Sequence, residues 1–87
     1  MIRKASWLLD HGEPCGAEAN MAKWLAADAA FQAADQAVQT HGGFGYAREF
    51  HVERYWREAR LMRIAPISQE MILNYVTEHV LKLPRSY

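Results

Sequence analysis

The chain has 87 residues, of which 51% are hydrophobic, and its ten basic side chains balance ten acidic ones. This balance argues against the broad positive surface by which nucleic-acid-binding proteins attract phosphates. A chain of this length forms at most one small domain, which buries only roughly 60% of the surface that its unfolded form exposes. Three Trp, four Tyr and three Phe are more than such a core readily covers, so we expect self-association or a missing partner segment.

Cysteine usage and hydropathy give an expectation for location. Cys15 is the single cysteine and cannot form an internal disulfide, and neither a basic leader nor a run of about 18 apolar residues is present. We therefore expect a cytoplasmic location, or an organelle matrix if the source is eukaryotic, and no membrane span. The histidines lack any metal-binding spacing, so no metal site is predicted. They are His11, His41, His51 and His79.

Apolar residues at three- and four-residue spacing predict helices throughout the chain. The first helix should start near Ile2 and end near Asp10 or His11, where Gly12 and Pro14 interrupt the pattern. The second, rich in alanine, should run from about Gly16 to His41. One of its faces carries Ala22, Ala26, Ala30, Ala33 and Ala37, and another carries Met21, Trp24, Leu25, Phe31 and Val38. Two apolar faces predict two neighbours.

Two acidic residues, Asp28 and Asp35, lie seven positions apart at the edge of the aromatic face of this helix. Either they are buried and paired, for instance with arginines of the third helix, or they are solvent-exposed acids beside the apolar stripe. The sequence leaves both interpretations open.

A cluster of three glycines, Gly42, Gly43 and Gly45, follows the second helix. It is neither a dinucleotide-binding fingerprint, which follows a strand, nor a phosphate-binding loop of the Gly-Lys-Ser/Thr type. The cluster is either a helix cap, in which glycine adopts the left-handed conformation, or a turn that lets a ligand approach the backbone closely.

Two more helices are predicted after this turn. The third should run from about Phe50 to Arg63, with arginines at every third position that are either neutralised by glutamates four residues away or serve as anchors for a subunit or phosphate. The fourth carries apolar residues from Met71 to Leu83, and Pro84 should end it. Ser68 or Glu70 can cap its start.

The order of these motifs resembles one family. Glu18-Ala19-x-Met21-Ala22-Lys23, Gln39-Thr40-His41-Gly42-Gly43-Phe44-Gly45-Tyr46 and Val52-Glu53-Arg54-Tyr55-Trp56-Arg57-Glu58-Ala59-Arg60 are closely similar to segments of flavin-dependent acyl-CoA dehydrogenases. The resemblance is to their C-terminal helical domain and covers nearly the whole chain. It implies an all-α fold of about four helices, residues 1–87 forming part of an up-and-down bundle, in an oxidoreductase that acts on acyl-CoA thioesters.

The resemblance also implies cofactor and partner roles. In the family, the segment equivalent to Gln39, Thr40, His41, Gly42 and Gly43 contacts the adenosine diphosphate half of FAD bound mainly by a neighbouring subunit. Family members assemble as dimers or tetramers through this domain, so a homo-oligomer is expected. The chain by itself is not expected to retain FAD, because most of the flavin site lies in other domains.

The sequence departs from the family at the catalytic position. Where many members carry Glu-Gly-Thr, with the glutamate as the base that removes the α-proton, this chain reads Pro66-Ile67-Ser68. Proline has neither carboxylate nor backbone N–H. We therefore predict no catalytic residue here. Ser68 could keep the flavin contact of the family threonine, and Glu70 lies about one turn onward.

Three functions remain open at this stage. The chain is the C-terminal part of an acyl-CoA dehydrogenase whose base comes from an earlier helix or whose branch does not run the usual dehydrogenation. Alternatively it is a free-standing helical assembly module, or an inactive remnant that folds because its helices dimerise.

Overall fold

The computed structural model describes residues 1–85, and within them every regular element is helical. The four α-helices are α1 (Ile2–Asp10), α2 (Gly16–His41), α3 (Val52–Met62) and α4 (Gln69–His79). Two short 3₁₀ helices, Gly42–Tyr46 and Arg48–Phe50, connect α2 to α3. This confirms the predicted all-α fold with four helices. The described helices include none that is long and apolar enough to cross a bilayer.

The chain divides into two compact units, and α2 contributes to both. The first unit contains Met1–Leu25 together with the chain from Ile67 onward, and the second contains Ala26–Pro66. Each unit holds its own set of polar contacts between elements.

In the first unit, polar contacts join the start of α2 to its neighbours. The Lys4 ammonium lies 2.8 Å from the Glu18 carboxylate, and the Lys23 ammonium donates to the carbonyl oxygen of Ile67 at 2.7 Å. The hydrogen bond from Lys4, helped by a backbone hydrogen bond, holds the pKa of Glu18 below its usual range. Ile72 of α4 is the most completely buried large side chain of the described residues, at 1% exposure.

In the second unit, one face of α2 contacts α3 and the residue that follows it. Trp56 donates its indole N–H to Asp35 at 2.8 Å, and Arg63 lies 3.4 Å from Asp28. Phe31, between the two acids on the same face, is 5.7 Å from the Trp56 ring and 5.3 Å from the Arg63 guanidinium. Neither acid is buried, so each interpretation holds in part. Asp28 is half-buried and pairs with an arginine, whereas Asp35 is exposed and accepts from an indole.

The predicted alanine face is wrong in part. Ala22 is buried and Ala37 half-buried, but Ala26, Ala30 and Ala33 are exposed. The other buried alanines of α2 are Ala27 and Ala34, which are seven residues apart. Phe31 and Asp35 contact α3, and Asp28 contacts Arg63, so that the middle of the predicted stripe faces outward.

The ends of the last two α-helices differ from the prediction. α3 occupies Val52–Met62, one to two residues inside the expected limits, because a 3₁₀ turn precedes it. α4 ends at His79 rather than at Pro84. The apolar spacing continues to Leu83, but Lys82 takes a left-handed conformation (φ 58°), which a continuing right-handed helix does not allow.

Candidate functional site

The glycine turn begins where α2 ends. Gly42 follows His41, the last residue of α2, and has a φ of 58°. A residue with a side chain pays a steric cost in this conformation, whereas glycine does not. The helix-cap interpretation of the cluster is therefore confirmed at Gly42.

The other two glycines differ in how much space surrounds them. A Cβ added to Gly45 would lie 2.5 Å from the carbonyl oxygen of Val38, so the turn approaches the last turns of α2 too closely for any side chain. A Cβ on Gly43 would meet nothing within 4 Å. Gly45 thus serves packing, while Gly43 leaves an open approach to the backbone.

The polar side chains before this turn are exposed. Gln39, Thr40 and His41 form the last turn of α2, and all three lie at the surface. The Thr40 hydroxyl donates to the carbonyl oxygen of Gln36 at 2.8 Å, and Nδ1 of His41 lies 2.8 Å from that of Ala37. Because a carbonyl only accepts, Nδ1 of His41 carries the proton, and Nε2 remains available to a partner.

Exposed aromatic rings follow the turn. Phe44 is 67% and Tyr46 89% exposed. Phe50 packs against Phe44 with ring centroids 5.3 Å apart and lies 6.3 Å from the His41 ring. The glycine turn therefore sits beside a small aromatic cluster that the described residues do not cover.

The arginines of α3 are largely neutralised within their own helix. Arg57 lies 3.3 Å from Glu53, and Arg54 lies 3.8 Å from Glu58, both at four-residue spacing. This confirms the self-neutralising interpretation for these two arginines. A cavity of about 700 Å³ is lined by Arg48, His51, Glu53, Arg54 and Arg57.

Ser68 and Glu70 belong to the first unit, whereas Gln39 to Gly43 belong to the second. Ser68 is the N-cap of α4, and its hydroxyl oxygen accepts from the backbone N–H of Met71 at 3.3 Å. Glu70 is exposed in the first turn of the same helix. Pro66 precedes the cap by two residues and follows a cis peptide bond.

These elements match a known domain. The family model for the C-terminal domain of acyl-CoA dehydrogenases matches residues 1–81. The chain belongs to the acyl-CoA dehydrogenase family. The resemblance carried by the glycine turn and the arginine-rich α3 is thereby confirmed.

Curated relatives agree with this assignment. The chain is 54% identical over its full length to the acyl-CoA dehydrogenase FadE12 of Mycobacterium tuberculosis (strain ATCC 25618 / H37Rv), and it spans 23% of that protein. It is 43% identical over 94% of its length to the probable acyl-CoA dehydrogenase YngJ of Bacillus subtilis (strain 168), of which it spans 22%. A 3-(aryl)acrylate reductase of Clostridium sporogenes (strain ATCC 15579) is 34% identical over 94% of the chain and 22% of its own length. The chain thus corresponds to about a quarter of these relatives.

The glycine turn leaves open backbone beside an exposed side-chain amide. Gly43 offers backbone without a blocking side chain, and the Gln39 carboxamide supplies donors at the adjacent exposed surface. Backbone N–H groups in such turns bind phosphate oxygens. Within residues 1–85, by contrast, no three His, Cys, Asp or Glu side chains gather in a way that could hold a metal ion.

The sequence did not single out the Asp35–Trp56 contact. Asp35, Trp56 and Tyr46 line one cavity of about 370 Å³, together with Val38, Gly45, Glu53 and Arg57. Asp35 and Trp56 are 21 positions apart, and their spacing carries no helical signal. Only the packing of α2 against α3 brings them together.

Proposed function

We propose that this chain acts as the C-terminal portion of an FAD-dependent acyl-CoA dehydrogenase. Its contact with FAD bound mainly by a neighbouring subunit is made by Gln39, Thr40, His41, Gly42 and Gly43. The observation that carries the proposal is the open backbone at Gly43 beside the exposed last turn of α2. FAD supplies the hydride-accepting chemistry when bound, and acyl-CoA is the substrate class that the family implies. The whole protein would act in the cytoplasm or an organelle matrix.

The same surface supports an oligomer interface. Phe44 and Tyr46 directly follow the glycines and expose most of their rings. Such rings, when clustered, mark surfaces that bind another protein. A homo-oligomer would cover them while it brings the glycine turn to the cofactor of the neighbouring subunit.

This chain contributes no catalytic base in this proposal. Pro66 has no ionisable group, and Glu70 lies four residues further along the chain, in the first turn of α4. Ser68 is the better candidate for a flavin contact. Its oxygen accepts from Met71, and its hydroxyl proton can still be donated.

A binding experiment tests the cofactor contact. ADP added to the ¹⁵N-labelled chain should shift the amide signals of Gln39 to Gly43 before others. Gly43→Val should abolish these shifts without unfolding the chain, because the position is open to solvent. Ala29→Leu, which also adds three carbon atoms at an exposed site of the second unit, should leave them unchanged. Shifts that cluster elsewhere, or that survive Gly43→Val, would refute the contact.

A second candidate function is a free-standing assembly module without catalysis, or an inactive remnant of such a module. The small number of buried apolar residues favours this candidate. In the described part of the chain they are Ala22, Ala27, Ala34, Val52 and Ile72. Light scattering of the purified chain together with the ADP titration separates the two. Oligomers whose amide signals do not shift with ADP support the assembly module. A stable monomer argues against self-association in either proposed function.

A further inference from the structure

The cavity beside the glycine turn has an unusual combination of lining groups. It measures about 370 Å³, at the small end of the roughly 300–1,000 Å³ range of ligand pockets. Its lining residues include two aromatic residues, Trp56 and Tyr46, two acids, Asp35 and Glu53, and one base, Arg57. All of them belong to the second unit.

The charges in this cavity leave one negative charge uncompensated. Arg57 lies 3.3 Å from Glu53, so these two groups neutralise each other. Asp35 accepts a hydrogen bond from the neutral indole of Trp56 at 2.8 Å but makes no ion pair with any residue of the described chain. An ionised carboxylate that accepts one hydrogen bond retains three further acceptor sites. The cavity therefore suits a single positive charge.

The aromatic walls select among cations. Tyr46 is 89% and Trp56 39% exposed, which leaves ring surface for a bound group. A guanidinium is planar, stacks on aromatic faces and donates two parallel hydrogen bonds to a carboxylate. An ammonium makes only a point contact and is more strongly hydrated.

We propose that this cavity receives an arginine side chain from a partner polypeptide, with the guanidinium bound to Asp35 and stacked between Trp56 and Tyr46. The Trp56–Asp35 hydrogen bond holds the carboxylate in place before the partner arrives. The partner is thus a protein segment that presents an arginine. The proposal uses none of the residues from Gln39 to Gly43, but it shares Tyr46 with the surface proposed for the homo-oligomer.

The test follows the indole ¹H–¹⁵N signal of Trp56 during addition of N-acetyl-arginine amide. We expect a saturable shift with a dissociation constant of roughly 30–200 mM, because one partly exposed ion pair with a stacked ring is a weak interaction. The neutral isostere N-acetyl-citrulline amide should bind at least about tenfold more weakly, the loss that removal of a charged hydrogen-bond partner produces. This comparison needs no variant and does not depend on refolding.

Two variants test whether arginine binds at Asp35. Asp35→Asn keeps an oxygen for the Trp56 indole but removes the charge, and it should weaken arginine binding about tenfold while the fold is retained. Asp10→Asn removes an exposed acid of the first unit and should change nothing. Equal binding of citrulline, insensitivity to Asp35→Asn, or a Trp56 shift produced by ADP but not by arginine would overturn the proposal.

Discussion

The carbonyl oxygen of Val38 lies where a side chain on Gly45 would have to go, 2.5 Å from the position of a Cβ. Backbone therefore packs on backbone between α2 and the turn that follows it. Gly45→Ala must displace one of them, and overpacking of this kind costs about 1–3 kcal/mol of unfolding free energy. Urea unfolding followed by circular dichroism measures the loss.

Gly43→Ala is the matched control for Gly45→Ala. It adds the same methyl group two residues away, where nothing lies within 4 Å, so the urea midpoint should change little. Equal losses in the two variants would show that the turn is sensitive to any side chain and that the close approach to Val38 is not the cause.

The sequence predicted where α2 begins and ends because helix-breaking residues lie next to both ends of the helix. Gly12 and Pro14 precede the helix, and the glycine turn follows it. The end of α4 was predicted less well, since the apolar spacing through Leu83 gave no sign that Lys82 would become left-handed. Propensity describes a segment by itself, whereas a helix end also depends on what the last turn packs against.

Ser68 offers a test of the cap of α4. Its hydroxyl oxygen accepts from the Met71 N–H at 3.3 Å, which satisfies one of the unpaired donors at the helix start. Ser68→Ala should lower the unfolding free energy by about 1 kcal/mol, and Ser68→Asp should retain most of it. If Ser68→Asp destabilises as much as Ser68→Ala, the side chain is not acting as a cap. Chemical denaturation of the three proteins decides the matter.

Gly16 and Tyr75 form a second close contact, in the first unit. A Cβ on Gly16 would lie 2.9 Å from the Tyr75 hydroxyl oxygen, the far end of a side chain that stacks on His79 with centroids 4.2 Å apart. Gly16 is the first residue of α2, where alanine gains less over glycine than the roughly 0.5–1 kcal/mol of a helix interior, and Gly16→Ala also displaces that hydroxyl. We expect the substitution to be neutral or unfavourable in the natural chain.

A double-mutant cycle isolates this contact. In a Tyr75→Phe background the obstructing oxygen is absent, so Gly16→Ala should become stabilising, and the two backgrounds should differ by about 1 kcal/mol. The same effect of Gly16→Ala in both backgrounds would mean that Tyr75 moves aside without cost.

The sequence shows that the turn contains three glycines, but it does not show that each glycine has a different structural role. Nothing in the sequence distinguishes Gly42, Gly43 and Gly45 from one another. The structure separates them, because Gly42 needs a positive φ, Gly45 needs room beside Val38, and Gly43 needs neither. Which glycine packs and which stays open follows from the path of the chain after α2.

The Lys4–Glu18 ion pair predicts a pH dependence for the stability of the first unit. The hydrogen bond from Lys4 lowers the pKa of Glu18 in the folded chain below its ordinary value of 4.5. A group with a lowered folded pKa stabilises the fold above its unfolded pKa, and the contribution is lost as pH falls through the lowered value. The contribution of Glu18 should therefore be complete above about pH 5 and disappear progressively below 4.5.

Urea midpoints measured between about pH 3 and pH 7 test this linkage. Glu18→Gln should be less stable than the natural chain at neutral pH, and the two curves should converge in acid because Glu18 is then protonated in both states. Glu13→Gln is the control, since Glu13 is exposed and makes no ion pair among the described residues. A gap between the natural chain and Glu18→Gln that persists at the acid end would show that the carboxylate acts through packing or neutral hydrogen bonds rather than through its charge.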